Sequence, residues 1–249
     1  MRIAGVVRTV VAVAASGVLL TSCASGDDAS GKGDAGHGKR TGQGSGQGAG
    51  AVDLQRIPDV GDRLLSKIPE NSRQVVAVYG DGEDSAKSTV VLYTKSGEKD
   101  TTWTKARSWP AHNGKKGWTT DHRENDKRSP VGVFTLTDAG GVLADPGAKF
   151  AYTKSASMQA PNYWPKTHWH DFDYVIAIDY NRAKGTPPND PTRPQGQSKG
   201  GSIWLHMDHG SGTSGCVSLS KPGMESLLRT LDPQQHPVVV MGDRANLRA

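Results

Sequence analysis

Ser202-Ile203-Trp204-Leu205-His206-Met207-Asp208-His209-Gly210-Ser211-Gly212-Thr213-Ser214-Gly215-Cys216-Val217-Ser218-Leu219 is the stretch on which the reading of this chain turns. Its opening residues alternate, so a strand over Ser202–His206 sets Ile203 and Leu205 on one face and Trp204 and His206 on the other. The loop that follows is built of small residues, which leave backbone N–H groups uncovered and let a carbonyl group approach closely. Two readings of the spacing stay open. His206, at the end of a strand, can face Cys216 across the returning loop, lower the thiol pKa and take its proton. Alternatively, His206 is a satisfied imidazole and Cys216 an inert small hydrophobe.

Outward from that stretch, short β-branched runs bounded by turn residues predict further strands over Gln74–Tyr79, Thr89–Thr94, Val131–Leu136, Tyr174–Ile178 and Pro237–Met241. One helix is predicted over Gly223–Leu231, with Pro222 at its first turn and Leu227, Leu228 and Leu231 on one face. Leu54 to Ile68 has apolar residues at helical spacing, interrupted by Pro58 and Gly61, and predicts two short helices. Long polar connections over His112–Ser129 and Asn181–Gly201 are of the kind that carry function or move. The 31 glycines and 14 prolines among 249 residues agree with many turns and few long helices. The fold class is therefore mainly β with minor α, and there is no internal repeat.

Arg2 and Arg8 followed by the apolar run Val10–Leu20 read as a secretory signal over residues 1–22. It ends in Leu20-Thr21-Ser22-Cys23, which resembles a bacterial lipobox, and that resemblance implies lipidation of Cys23. Residues 23–52 follow as a tether. Ten glycines lie between Ala24 and Ala51 with no apolar periodicity, so the segment cannot bury enough surface to offset its ordering entropy. Composition changes near Val52, and residues 53–249 read as one globular unit. Outside the leader no apolar run reaches the roughly 18 residues of a membrane span, which excludes a multi-span transporter. The formal charge of +5 includes Arg2 and Arg8 of the leader and is too weak to argue for nucleic acid.

The segments Ile203-Trp204-Leu205-His206 and Thr213-Ser214-Gly215-Cys216-Val217-Ser218-Leu219 together resemble the signature of YkuD-type L,D-transpeptidases. Members have an apolar strand ending in His, then a Ser/Thr-x-Gly-Cys segment. A second match, Ser129-Pro130-Val131-Gly132-Val133-Phe134-Thr135-Leu136, looks like the family's Thr/Ser-Pro-x-Gly-x-Phe element. A third, Phe172–Asn181, resembles an intervening strand of some members. The resemblance spans about Val75 to Gly242 and implies a β-sandwich with a short capping helix.

It also implies a Cys-dependent acyl transfer on peptidoglycan stem peptides. Cys216 is then the nucleophile and His206 the general base and acid, oriented by the backbone carbonyl of Met207. Gly215, Ser214 and Thr213 shape the oxyanion hole, and His209 is a loop residue set toward the substrate. The implied product is a 3-3 cross-link formed with loss of D-alanine, and carbapenem acylation of Cys216 is a family expectation. No cofactor and no metal is implied. Two departures stand out: Ser218 replaces an Arg or Asn frequent two residues after the Cys, and Met207 replaces a Gly after the His.

Other classes compete. An L,D-carboxypeptidase would use water as the acceptor. A zinc peptidase would draw on His168, His170, His206 and His209, but HExxH and HxxEH motifs are absent, and the Trp- and His-rich segment from Trp164 to Asp171 reads better as a pocket wall or packed loop. A non-catalytic wall-binding lipoprotein would use the six tryptophans and basic residues such as Lys105, Arg107, Lys115 and Lys127, which read as a solvated loop face. An exposed thiol has no use in a pure binder. A sortase-like Cys and Arg pattern is not seen.

Overall fold

The computed structural model describes residues 53–97 and 99–249, so the expected leader, the expected lipidation at Cys23 and the tether read over 23–52 lie outside the described residues. Eight strands carry the fold: β1 (Gln74–Gly80), β2 (Lys87–Thr94), β3 (Trp103–His112), β4 (Gly132–Gly141), β5 (Val175–Ile178), β6 (Trp204–Met207), β7 (Val217–Leu219) and β8 (Val238–Asp243). Hydrogen bonding runs β1-β2-β3-β7-β6-β5-β4-β8 and returns to β1, a closed circuit. Within it the β6–β7 and β8–β1 pairs are parallel and the others antiparallel. The chain is mainly β, as its sequence predicts, and the expected sandwich is joined along its edges. Closure of this kind removes edges that would template pairing with another chain.

The helices are short: α1 (Asp62–Leu65), α2 (Lys221–Thr230) and α3 (Arg244–Arg248). β1 and β8 are buried on both faces, which explains their continuous apolar runs Val75-Val76-Ala77-Val78 and Val238-Val239-Val240-Met241. On the inner face, Val76, Val78, Val239 and Met241 join Leu205, Leu219 and the α2 residues Met224, Leu227 and Leu228. Each such side chain contributes roughly 1.5–3 kcal/mol of burial. The α2 helix starts at Ser220, whose hydroxyl accepts from the Gly223 N–H at 3.3 Å, with Pro222 in its first turn.

On the outer face, Val75, Ala77, Tyr79, Val238 and Val240 pack against Ile57, Val60, Leu64 and Leu247. The segment before β1 therefore belongs to the core. It holds a single helical turn, α1, and a short strand Asp53–Leu54 paired with β3, rather than the two helices expected. Pro58 and Gly61 break the helical pattern, and the Gly61 N–H donates instead to the Leu247 carbonyl at 2.8 Å. β3 and the three-residue β7 are strands that sequence periodicity misses, and β3 shows why. Lys105, Ala106, Arg107 and Ser108 are all exposed, so no alternation marks it, and pairing with β2 and β7 is what defines it.

Candidate active site

The parallel pairing of β6 with β7 aligns Leu205 with Val217 and His206 with Ser218. Ile203 and Leu205 join the inner core, while Trp204 packs on the opposite face with Phe172 and Cys216. Cys216 immediately precedes β7. Its Sγ accepts from the Trp204 N–H and lies toward the Ser202 carbonyl, each at 3.4 Å. Cys216 and His206 line one cavity of about 310 Å³.

His206 is buried and held by its neighbours. Its Nδ1 lies 2.7 Å from the Met207 carbonyl, and Phe172 meets the ring edge-on with centroids 5.3 Å apart. A carbonyl only accepts, so Nδ1 carries the proton and Nε2 is the atom able to receive one. Burial holds the imidazole below its ordinary pKa, against the opposing pull of Asp171. Burial also pushes the Cys216 thiol up to about 12. The resting pair is thus a neutral thiol beside a neutral imidazole, which suits proton transfer during attack better than a standing thiolate.

The loop that presents Cys216 is pinned from two sides. Ser129 is fully buried; its hydroxyl accepts from the Gly114 N–H at 2.8 Å and donates to the Gly215 carbonyl at 2.7 Å. Thr213 Oγ1 accepts from the Gly215 N–H at 3.1 Å and donates to the Cys216 carbonyl at 2.6 Å. Gly215 sits at φ +151°, where a Cβ would stand 3.0 Å from the Arg128 carbonyl oxygen and 3.2 Å from Ile203 Cδ1. The expectation that the Gly215 amide serves an oxyanion meets a physical obstacle, because Thr213 already takes that N–H. Ser218 donates to Asp208 Oδ1 at 2.6 Å, and His112 Nδ1 lies 2.9 Å from the same oxygen, tying this loop to β3.

His206, His209, Thr213, Ser214 and Cys216 are brought to the same cavity, whereas Met207 enters only through its carbonyl. The remaining wall includes Trp164, His168, Asp171 and Phe172. The segment from Trp164 to Asp171 thus divides: Trp164, His168 and Asp171 line the cavity, while Trp169 and His170 are exposed. Lys115 and Lys127, read from sequence as part of a solvated loop face, line it too. Sequence reasoning missed Phe172 and the part played by Ser129. The Ser-Pro-x-Gly-x-Phe element was visible, but nothing local shows that its hydroxyl reaches across to Gly215.

A second, smaller cavity of about 110 Å³ is lined by His122, Gly201, Ser202, Gly215 and again Cys216, with Ser214 and Lys127 common to both. His122 is buried, its Nδ1 3.0 Å from Asp126 Oδ1, and burial keeps its pKa below the ordinary value.

Cys216, just before β7, and the carbonyl-tethered His206 of the adjoining β6 share one cavity of a closed β-fold, which makes them a candidate Cys–His centre. The YkuD family model, the L,D-transpeptidase catalytic domain, matches residues 79–240, from within β1 to within β8. The chain belongs to that family. Neither a curated protein nor a solved structure matches it significantly.

Proposed function

We propose that the protein is a peptidoglycan L,D-transpeptidase, tethered outside the cytoplasm by a lipid on Cys23, that joins stem peptides through 3-3 cross-links. The observation that carries this reading is the position of Cys216 at the meeting of two cavities, since acyl transfer between two peptides needs two approaches to one sulfur. The Cys216 sulfur attacks the amide carbonyl between the L- and D-centres of a tetrapeptide stem. His206 Nε2 takes the thiol proton and returns it to the departing D-alanine amine as the C–N bond breaks. With the Gly215 N–H engaged by Thr213, the neighbouring Cys216 amide is the backbone donor that meets the oxyanion. An amine of a second stem then attacks the thioester, passes its proton through His206 to the sulfur, and leaves as the cross-linked amide. A carbapenem carbonyl would acylate the same sulfur.

The test is incubation of the full chain, and of its Cys216→Ala variant, with purified disaccharide-tetrapeptide, read by mass spectrometry. The expected result is dimers lacking one D-alanine, absent with Cys216→Ala. Tripeptide without dimers makes it an L,D-carboxypeptidase. An unaltered stem with a reactive Cys216 overturns the substrate assignment.

A further inference from the structure

Beside the Cys216–His206 pair lies a cluster that the acyl-transfer cycle does not use. His168 Nδ1 and His209 Nδ1 approach the same carboxylate oxygen, Asp171 Oδ2, at 2.9 and 3.0 Å. The two imidazoles face each other with centroids 3.9 Å apart, and one ligand atom from each of the three residues falls within 4.8 Å of the others. Asp171 is buried, and the His209 side chain is only 4% exposed. His209 Nε2 is buried with no hydrogen-bond partner, while Nδ1 meets the Asp171 carboxylate as an ion pair. A buried imidazole nitrogen left without a partner is costly unless something outside the chain engages it.

We propose that His168, Asp171 and His209 form a binding site for a divalent transition ion of the zinc class in the wall of the Cys216 cavity. Two imidazoles and one carboxylate are a donor set that suits Zn²⁺, whereas Mg²⁺ and Ca²⁺ prefer oxygen alone. Tetrahedral bonds of about 2.0–2.1 Å separate donor atoms by roughly 3.3 Å, so each His–Asp171 pair needs to open by only a few tenths of an ångström, and the donor atoms of the two imidazoles lie within 4.8 Å of each other. Its frame is already held: the Asp171 N–H donates to the His168 carbonyl at 3.1 Å, and the Met207 N–H donates to the Asp171 carbonyl at 3.0 Å. All three residues line the cavity, so the ion's remaining position opens into it and accepts water or a carboxylate.

Equilibrium dialysis of the full chain against Zn²⁺ tests this, in a Cys216→Ser background that removes the thiol of the same cavity. One ion per chain is expected, no uptake of Mg²⁺, and four-coordinate visible bands when Co²⁺ replaces Zn²⁺. His168→Gln and His209→Gln should each weaken binding at least tenfold, while His170→Gln, an exposed imidazole paired with Asp173, should leave it unchanged. His168 is 27% exposed, so its variant keeps the test decisive if His209→Gln fails to fold, as circular dichroism would report. Absence of stoichiometric Zn²⁺, or binding that survives His168→Gln, overturns the proposal.

Discussion

Replacing Ser129 with alanine isolates the contribution of the upstream motif to the nucleophile loop. Its hydroxyl is fully buried and bridges the Gly114 N–H at 2.8 Å and the Gly215 carbonyl at 2.7 Å. The substitution orphans one donor and one acceptor, each away from solvent, at about 1–3 kcal/mol per group. Because the two share one hydroxyl and the loop can relax, a total of about 2–4 kcal/mol is expected rather than the full sum. Gly215 adjoins Cys216, so the released carbonyl also loosens the sulfur's position. Misplacement by about 1 Å can lower the rate of chemistry on the order of a hundredfold. Denaturant unfolding gives the first quantity, and single-turnover acylation of Cys216 gives the second. Ser129→Thr retains the hydroxyl and should recover much of the acylation rate. A stability loss under about 0.5 kcal/mol, or full loss of stability with an unchanged acylation rate, would refute the argument that this bond positions the nucleophile.

Gly215→Ala should cost about 1–3 kcal/mol, because a side chain at φ +151° is strained and meets the Arg128 carbonyl; equal unfolding midpoints would sink this. Arg182→Gln should destabilise by about 3–5 kcal/mol, since Arg182 Nη1 sits 2.9 Å from Asp138 Oδ2 and 2.5 Å from Asp179 Oδ1, all three side chains being buried. The loss should appear in chemical unfolding while thiol labelling of Cys216 in the folded protein stays unchanged. Burial lowers the folded pKa of His206 from 6.5, so below that pH the unfolded chain binds more protons. Its contribution to stability is complete above pH 6.5 and is lost as pH falls toward the folded value. His206→Gln should flatten that part of the stability–pH curve, leaving the slope of the same sign that His122 supplies. Acylation, which needs neutral His206, should keep its acid limb below pH 6.5.

Much of this protein is legible in its sequence wherever one short segment carries its own signal. Alternation over Ile203–His206 sets the histidine on the face away from the core, and two ordered motifs suffice to place the chain in its family. The strands β1 and β8 announce themselves as apolar runs because both of their faces are buried. Where burial is one-sided or distant, the signal fades. β3 has an exposed polar middle and exists because β2 and β7 complete its hydrogen bonds. The helical spacing of Ile57, Val60 and Leu64 reflects packing on the outer sheet face rather than two helices.

The proposed nucleophile Cys216 and its proposed base His206 are picked out in the sequence by the motif and the strand end. Their surroundings do not. Ser129 reaches Gly215, and His209 reaches His168 and Asp171, only because closure of the sheet folds loops from distant parts of the chain against β6 and β7. Local periodicity records which face of an element is buried; which two polar groups meet depends on the register and crossing of elements far apart in the chain, and that the tertiary structure alone decides.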